Sequence, residues 1–170
     1  MTLDFDPEVV AFSAQPFRLS WSAEARTRRH VPDFFARSAD GTGIVVDVRP
    51  DDRIEARDAE AFAATERACQ EVGWVFRRTV GPGPVLAANI RWLAGYRHRR
   101  YRRDDIAELA GGVFAEPTPL LAGARRIGDP LGVLPVLYHL MWRQELTADL
   151  AGGLFGLDTR VSVRRARLKR

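Results

Sequence analysis

HVPDFFARSADGTGIVVDVRP, residues 30–50, reads as two strands joined by a turn. Phe34 and Phe35 follow Pro32-Asp33, and Asp40-Gly41 is a strong turn signal. The chain returns through Ile44-Val45-Val46, a β-branched run that reads as a buried strand. Asp47 sits inside that run, where a carboxylate is costly unless something compensates it. Asp33 and Asp47 are 14 residues apart across the turn, so their side chains converge if both face the same side of the sheet. Arg49, two residues beyond Asp47, points the same way as Asp47 because strand side chains alternate. Acid, acid and cation then share one face. With the backbone carbonyl of Val48, the two carboxylates offer the hard oxygen donors that Mg²⁺ takes. Such an ion activates water and stabilises charge developing on a phosphodiester. The plainer alternative makes Asp33 a strand-entry residue and pairs Asp47 with Arg49 or a distant arginine.

Working outward, residues 9–21 look extended, with Phe17, Leu19 and Trp21 alternating with Arg18 and Ser20. With 28–37 and 43–49 they make a three-stranded meander. Residues 53–72 form a helix whose stripe is Ala59, Phe62, Ala63, Cys69 and Val72, ended by Gly73. Residues 74–80 read as a strand. The helical crossover makes it parallel to the strand at 43–49. GPGP at 81–84 is a hard break, and 84–97 returns to helix on Leu86, Ile90 and Leu93. The outcome is a mixed α/β sheet.

Beyond residue 100 the pattern changes. A helix at 104–112 is expected with Asp104 as cap and Gly111-Gly112 as stop. A second, at 118–127, has Thr118 capping and Pro119 in first position. Asp129 caps a third at 130–145, with Pro135 able to bend it. Residues 146–151 and 158–163 suggest a hairpin around GGLFGL. Three short helices, a hairpin and a basic tail outline a small winged-helix-like α+β domain. A helical dimerisation module is the alternative.

The 170 residues, 46% apolar and 28% charged, suffice for one domain or two small ones. No apolar run approaches the ~20 residues of a membrane span, and MTLDFDPEVV lacks the blocks of a signal peptide. Cys69 is the single cysteine, which rules out an internal disulfide and suits a reducing cytoplasm. Three His and one Cys make a structural zinc site a poor expectation.

The net charge of +4 is unevenly spread. RWLAGYRHRRYRR at 91–103 holds six Arg and no acid, and RVSVRRARLKR at 160–170 holds six bases and no acid. These runs are either solvated arms or phosphate contacts. On the second reading Arg97, Arg99, Arg100, Arg102 and Arg103 bind DNA. Trp92, Tyr96 and Tyr101 interleave the first run, placed either to stack on bases or to pack. Lys169 is the only lysine among 26 basic residues. His30 beside Pro-Asp reads as incidental, His98 belongs to the basic run, and His139 reads as a satisfied core residue. Ser20, Ser22 and Ser38 have no His–acid partners for a triad, and GPGP lacks the Lys-Ser/Thr of a P-loop.

SAQPFRLSW, HVPDFFAR, GIVVDVRP and DAEAFAATERACQEVGW, in that order, resemble the N-terminal domain of TnsA-like transposase endonucleases. Those belong to the restriction-endonuclease-like PD-(D/E)xK superfamily. LPVLYHLMWRQELTADL and Thr159-Arg160-Val161 are similar to the winged-helix-like domain that follows in that family. The resemblance implies a nuclease domain over 1–100 and a winged-helix-like domain over 101–170. It implies an Mg²⁺- or Mn²⁺-dependent DNA endonuclease acting at transposon ends. Its partners would be double-stranded DNA, a DDE-type transposase subunit and an ATPase regulator, in a bacterial cytoplasm at the nucleoid. Asp33 would be the main metal ligand. Asp47 stands at the second acidic position, Val48 gives a carbonyl, and Gln15 of Gln-Pro falls near the site. Arg49 stands where the family has Lys. Arginine cannot lose its proton, so Arg49 orients water or phosphate without acting as a base. The family's catalytic Glu lies on a helix before a phrase similar to Leu3–Pro7, whereas this sequence starts at Met1, with Glu8 and Glu24 as nearby acids. The alternatives are a cleavage-impaired DNA-binding or accessory protein and a stand-alone repair or defence nuclease on the same fold.

Overall fold

The Asp40-Gly41 turn forms as expected in the computed structural model, which describes residues 2–23 and 26–164. Gly41 takes φ +88°, the left-handed conformation that glycine adopts without a Cβ penalty. The Asp40 carboxylate accepts from the Ser38 hydroxyl and the Thr42 N–H, which hold its pKa down to about 2. The chain divides into two compact units, Asp6–Gly81 and Met1–Phe5 with Pro82–Arg170.

In the Asp6–Gly81 unit, β1 (Val9–Ala14), β4 (Phe34–Ser38), β5 (Gly43–Val48) and β6 (Val75–Thr79) form one sheet in the order β1-β4-β5-β6. β1 and β5 each run antiparallel to β4, and β6 runs parallel to β5. The parallel pair joined through α2 (Ala56–Glu71) is the crossover that the sequence pattern implies.

Two expectations change. The stretch at 9–21 is two strands, with β2 (Leu19–Ala23) leaving the sheet to pair with β3 (Arg26–His30) as a separate hairpin. The stretch at 28–37 is likewise broken between His30 and Phe34, because Pro32 has no N–H to give a ladder. The meander is therefore β1-β4-β5 with a hairpin inserted into its first connection. At the far end of β5, a Cβ on Gly43 would lie 2.8 Å from the Trp74 ring, so only glycine lets Trp74 pack there against Phe35 at 4.7 Å.

In the other unit, α1 (Thr2–Phe5), α3 (Pro84–Ala94), α4 (Asp104–Val113), α5 (Leu120–Ile127) and α6 (Pro130–Trp142) surround a core. Leu93, Phe114, Leu120, Leu137 and Val161 in it are fully buried. A small sheet of order β7-β9-β8 comprises β7 (Thr118–Pro119), β8 (Leu146–Thr147) and β9 (Arg160–Val163). Helix, strand, two helices and a closing strand pair give the winged-helix-like order. Thr118-Pro119 pairs with Arg160-Val161 instead of starting the second helix, whose N-cap is Pro119. Arg103, not Asp104, is the N-cap of α4, whereas Asp129 caps α6 by accepting from Leu131 N–H. The sequence division at 100/101 and the packing division at 81/82 differ by α3, whose Ile90, Leu93 and Ala94 join this core. Residues 165–170 of the basic tail lie outside the described residues. Among the described residues, no helix is long and apolar enough to cross a membrane.

Candidate active site

Asp47 is 3% exposed at the end of β5, and two donors offset the cost of its burial. The Asp33 backbone N–H donates to Asp47 Oδ1 at 3.2 Å. His30 Nε2 donates to Asp47 Oδ2 at 2.8 Å. In return, Asp33 Oδ2 accepts from the Val48 N–H at 2.7 Å. The two acids thus interlock across the ends of β4 and β5: each carboxylate is tied to the other strand's backbone. Pro32 creates this junction by ending the β3 pairing and letting residues 30–33 cross from hairpin to sheet.

Arg49 follows directly on β5. Its guanidinium lies 3.5 Å from Asp58 Oδ1 in the first turn of α2, and the His30 ring meets Phe62 of α2 edge-on. Arg78 of β6 donates to the Arg49 carbonyl and pairs with Asp51 at 2.6 Å, fixing the chain just after β5. Gln15 stands beside Asp33 through its backbone, its N–H donating to the Asp33 carbonyl at 2.9 Å. Its φ of 46° is unusual for a residue with a Cβ, a conformation that local structure must hold in place. Glu8 is at the other end of the β1–β4 pair, where its carbonyl accepts from Ala39. Glu24 lies outside the described residues.

In the sequence His30 could touch phosphate but reads as incidental, because a strand-edge histidine usually is. The signal that could have found it is the buried carboxylate itself: Asp47 needs donors, and His30 is the nearest candidate before Pro32. The hydrogen bond to Asp47 raises the His30 pKa above its usual 6.5. The charges of Asp47, Asp33 and Asp58 add to this, against the opposing effect of burial. A histidine whose folded pKa is raised contributes stability that is full below 6.5 and lost as pH rises through the folded value. In metal-free protein, wild type should therefore exceed His30→Gln in unfolding free energy by about 1–3 kcal/mol near pH 5.5. The margin should narrow on raising the pH to 9. A margin independent of pH, measured by urea titration, would contradict the pairing.

Were Asp33, Asp47 and the Val48 carbonyl to hold an ion, they would offer it only oxygen, the donor that a hard divalent ion takes. Among the described residues no group of three His, Cys, Asp or Glu side chains is set to hold a metal. A two-carboxylate site completed by a carbonyl and waters matches Mg²⁺, which keeps several waters, better than it matches zinc.

Of the expected DNA-binding arginines, Arg97, Arg99 and Arg102 line one cavity, and the five are engaged unequally. Arg102 donates to Asp104 at 2.8 Å and pairs with Glu145, and Arg103 pairs with Asp105 at 2.7 Å. The Arg100 guanidinium lies 4.9 Å over the Tyr101 ring. Arg97 bonds only weakly to the Ala94 carbonyl, at 3.4 Å. Tyr96 packs on Tyr138 at 4.7 Å, whereas Trp92 remains 55% exposed.

The pair of acids at the end of a mixed sheet is the geometry to set against known families, and the TnsA-like endonuclease N-terminal model matches residues 6–79. That segment is similar to a TnsA-like endonuclease N-terminal domain. The match covers nearly the whole Asp6–Gly81 unit and contains Gln15, His30, Asp33, Asp47 and Arg49. The mixed sheet of the TnsA-like domain accords with a restriction-endonuclease-like fold. No curated protein matches the chain.

Proposed function

We propose that the chain is the DNA-cleaving subunit of a heteromeric transposase, hydrolysing a phosphodiester at transposon ends. The observation that carries this reading is the reciprocal lock between Asp33 and Asp47 within a TnsA-like domain. Asp33, Asp47 and the Val48 carbonyl would hold Mg²⁺ or Mn²⁺. The ion, when bound, would supply an activated water and stabilise the charge developing on the phosphate.

The chain's own residues supply the rest. His30 donates to Asp47 and so fixes which way its carboxylate faces, as outer hydrogen bonds do at metal sites. Arg49 can exchange its 3.5 Å contact with Asp58 for a phosphate oxygen and steady the scissile group. Being always protonated, it takes no proton from water. The partners are double-stranded DNA, a DDE-type transposase subunit and an ATPase regulator, and the setting is the bacterial cytoplasm at the nucleoid.

Mg²⁺-dependent nicking of transposon-end DNA by the full chain, with its partner subunit present, tests the reading. Nicking is expected. Its absence would favour the second reading, a DNA-binding accessory protein, which the engagement of Arg49 by Asp58 supports.

A further inference from the structure

Outside the TnsA-like domain, a cavity of about 510 Å³ gathers Arg97, Arg99, Arg102, His139, Arg143 and Glu145, with Asp104 at its wall. Four guanidiniums face two carboxylates, which leaves an excess of two positive charges. The two acids are both spent on one arginine, since Arg102 bonds Asp104 and Glu145 together. Among the described residues, no carboxylate pairs with Arg97, Arg99 or Arg143.

The three unneutralised arginines come from separate places: the segment after α3, the short turn Arg99–Tyr101 and the C-cap of α6. Between them lies His139, 3% exposed, whose Nδ1 donates to the Tyr96 carbonyl at 2.8 Å. That bond fixes the ring and leaves Nε2 as its remaining polar atom. His139 and Arg143 are four apart on α6 and share a face. Convergent guanidinium forks suit the tetrahedral oxygens of a phosphate. The run from Arg91 to Arg103 that supplies Arg97 and Arg99 holds six arginines and no acid in sequence, a charge pattern that suits a polyanion better than one acidic side chain.

We propose that this cavity seats a backbone phosphate of duplex DNA, held by Arg97, Arg99 and Arg143 beside His139. The proposal rests on the DNA-binding part of the function above and extends it to Arg143, which lies outside the basic run.

The test is the salt dependence of affinity of the full chain for a fluorescent DNA duplex. Each phosphate contact contributes about 0.9 to the slope of log affinity against log salt. Arg143→Gln is expected to reduce the slope by about that amount. Arg99→Gln, on a different element, should do the same and carries the test if Arg143→Gln fails to fold. Arg67→Gln on the exposed side of α2 should leave the slope unchanged. An unaltered slope in both cavity variants, or an equal drop in Arg67→Gln, would overturn the proposal. If wild type does not bind duplex at all, the DNA reading fails and inorganic phosphate decides the site. A rise in melting temperature with phosphate, lost in Arg143→Gln, would keep it as a site for free phosphate; no rise would end it.

Discussion

Asp33→Ala should lower DNA cleavage by about 10³-fold or more while DNA binding persists. The size follows from the several kcal/mol that a bound ion contributes to a charged transition state, at tenfold per 1.36 kcal/mol. The variant also loses the acceptor for the Val48 N–H, a hydrogen bond in an exposed setting worth about 1 kcal/mol, so the fold should survive. Asp33→Asn separates the two effects. An amide oxygen still accepts from Val48, but the charge is gone. Asn should restore the stability lost in Ala without restoring cleavage. If Asn cleaves as well as wild type under single-turnover conditions, Asp33 is structural and the metal assignment is wrong.

Phe114→Ala should cost about 3–5 kcal/mol of unfolding free energy. The Phe114 ring is fully buried, and its space exists because residue 123 is glycine: a Cβ there would lie 2.2 Å from Phe114 Cζ. The backbone of Phe114 also ties α4 to the small sheet, its carbonyl accepting from Val163 N–H at 2.8 Å. Removing the ring leaves a cavity where α4 and α5 meet, and helices on both sides limit collapse. Denaturant titration followed through Trp92 and Trp142, both in this unit, reads the loss. A change below about 1 kcal/mol would mean that α4 and α5 are not packed through this ring.

The sequence made most of the sheet legible because β5 is a β-branched run buried on both faces, and because a helix between two strands dictates a parallel pair. The β2–β3 hairpin was not legible. Phe17, Leu19 and Trp21 alternate equally well whether the strand joins the main sheet or a separate ribbon, so periodicity does not choose between them. Pro32 carried the missing information, since a residue without an N–H interrupts a ladder. In the same way Thr118-Pro119 reads equally as a helix start or an edge strand. Only the return of Val161, far along the chain, decides for the strand.

At the site, the nearness of Asp33 to Asp47 was legible from their spacing across the Asp40-Gly41 turn. The adjacency of Gln15 to Asp33 came from the resemblance, not from the spacing. His30 and Asp58 were not, because their roles depend on how the hairpin and α2 lie over β5. The arginine run illustrates the opposite limit. Its charge is visible in the sequence, but Asp104, Asp105 and Glu145 neutralise part of it in the fold.

The measurement that tests the central claim most directly is anomalous scattering from crystals of the full chain soaked in Mn²⁺. A peak about 2.0–2.3 Å from carboxylate oxygens of both Asp33 and Asp47 is expected, with the Val48 carbonyl beside it. Mn²⁺ bound elsewhere, or none at all between these two acids, would contradict the two-carboxylate site and the cleavage reading with it.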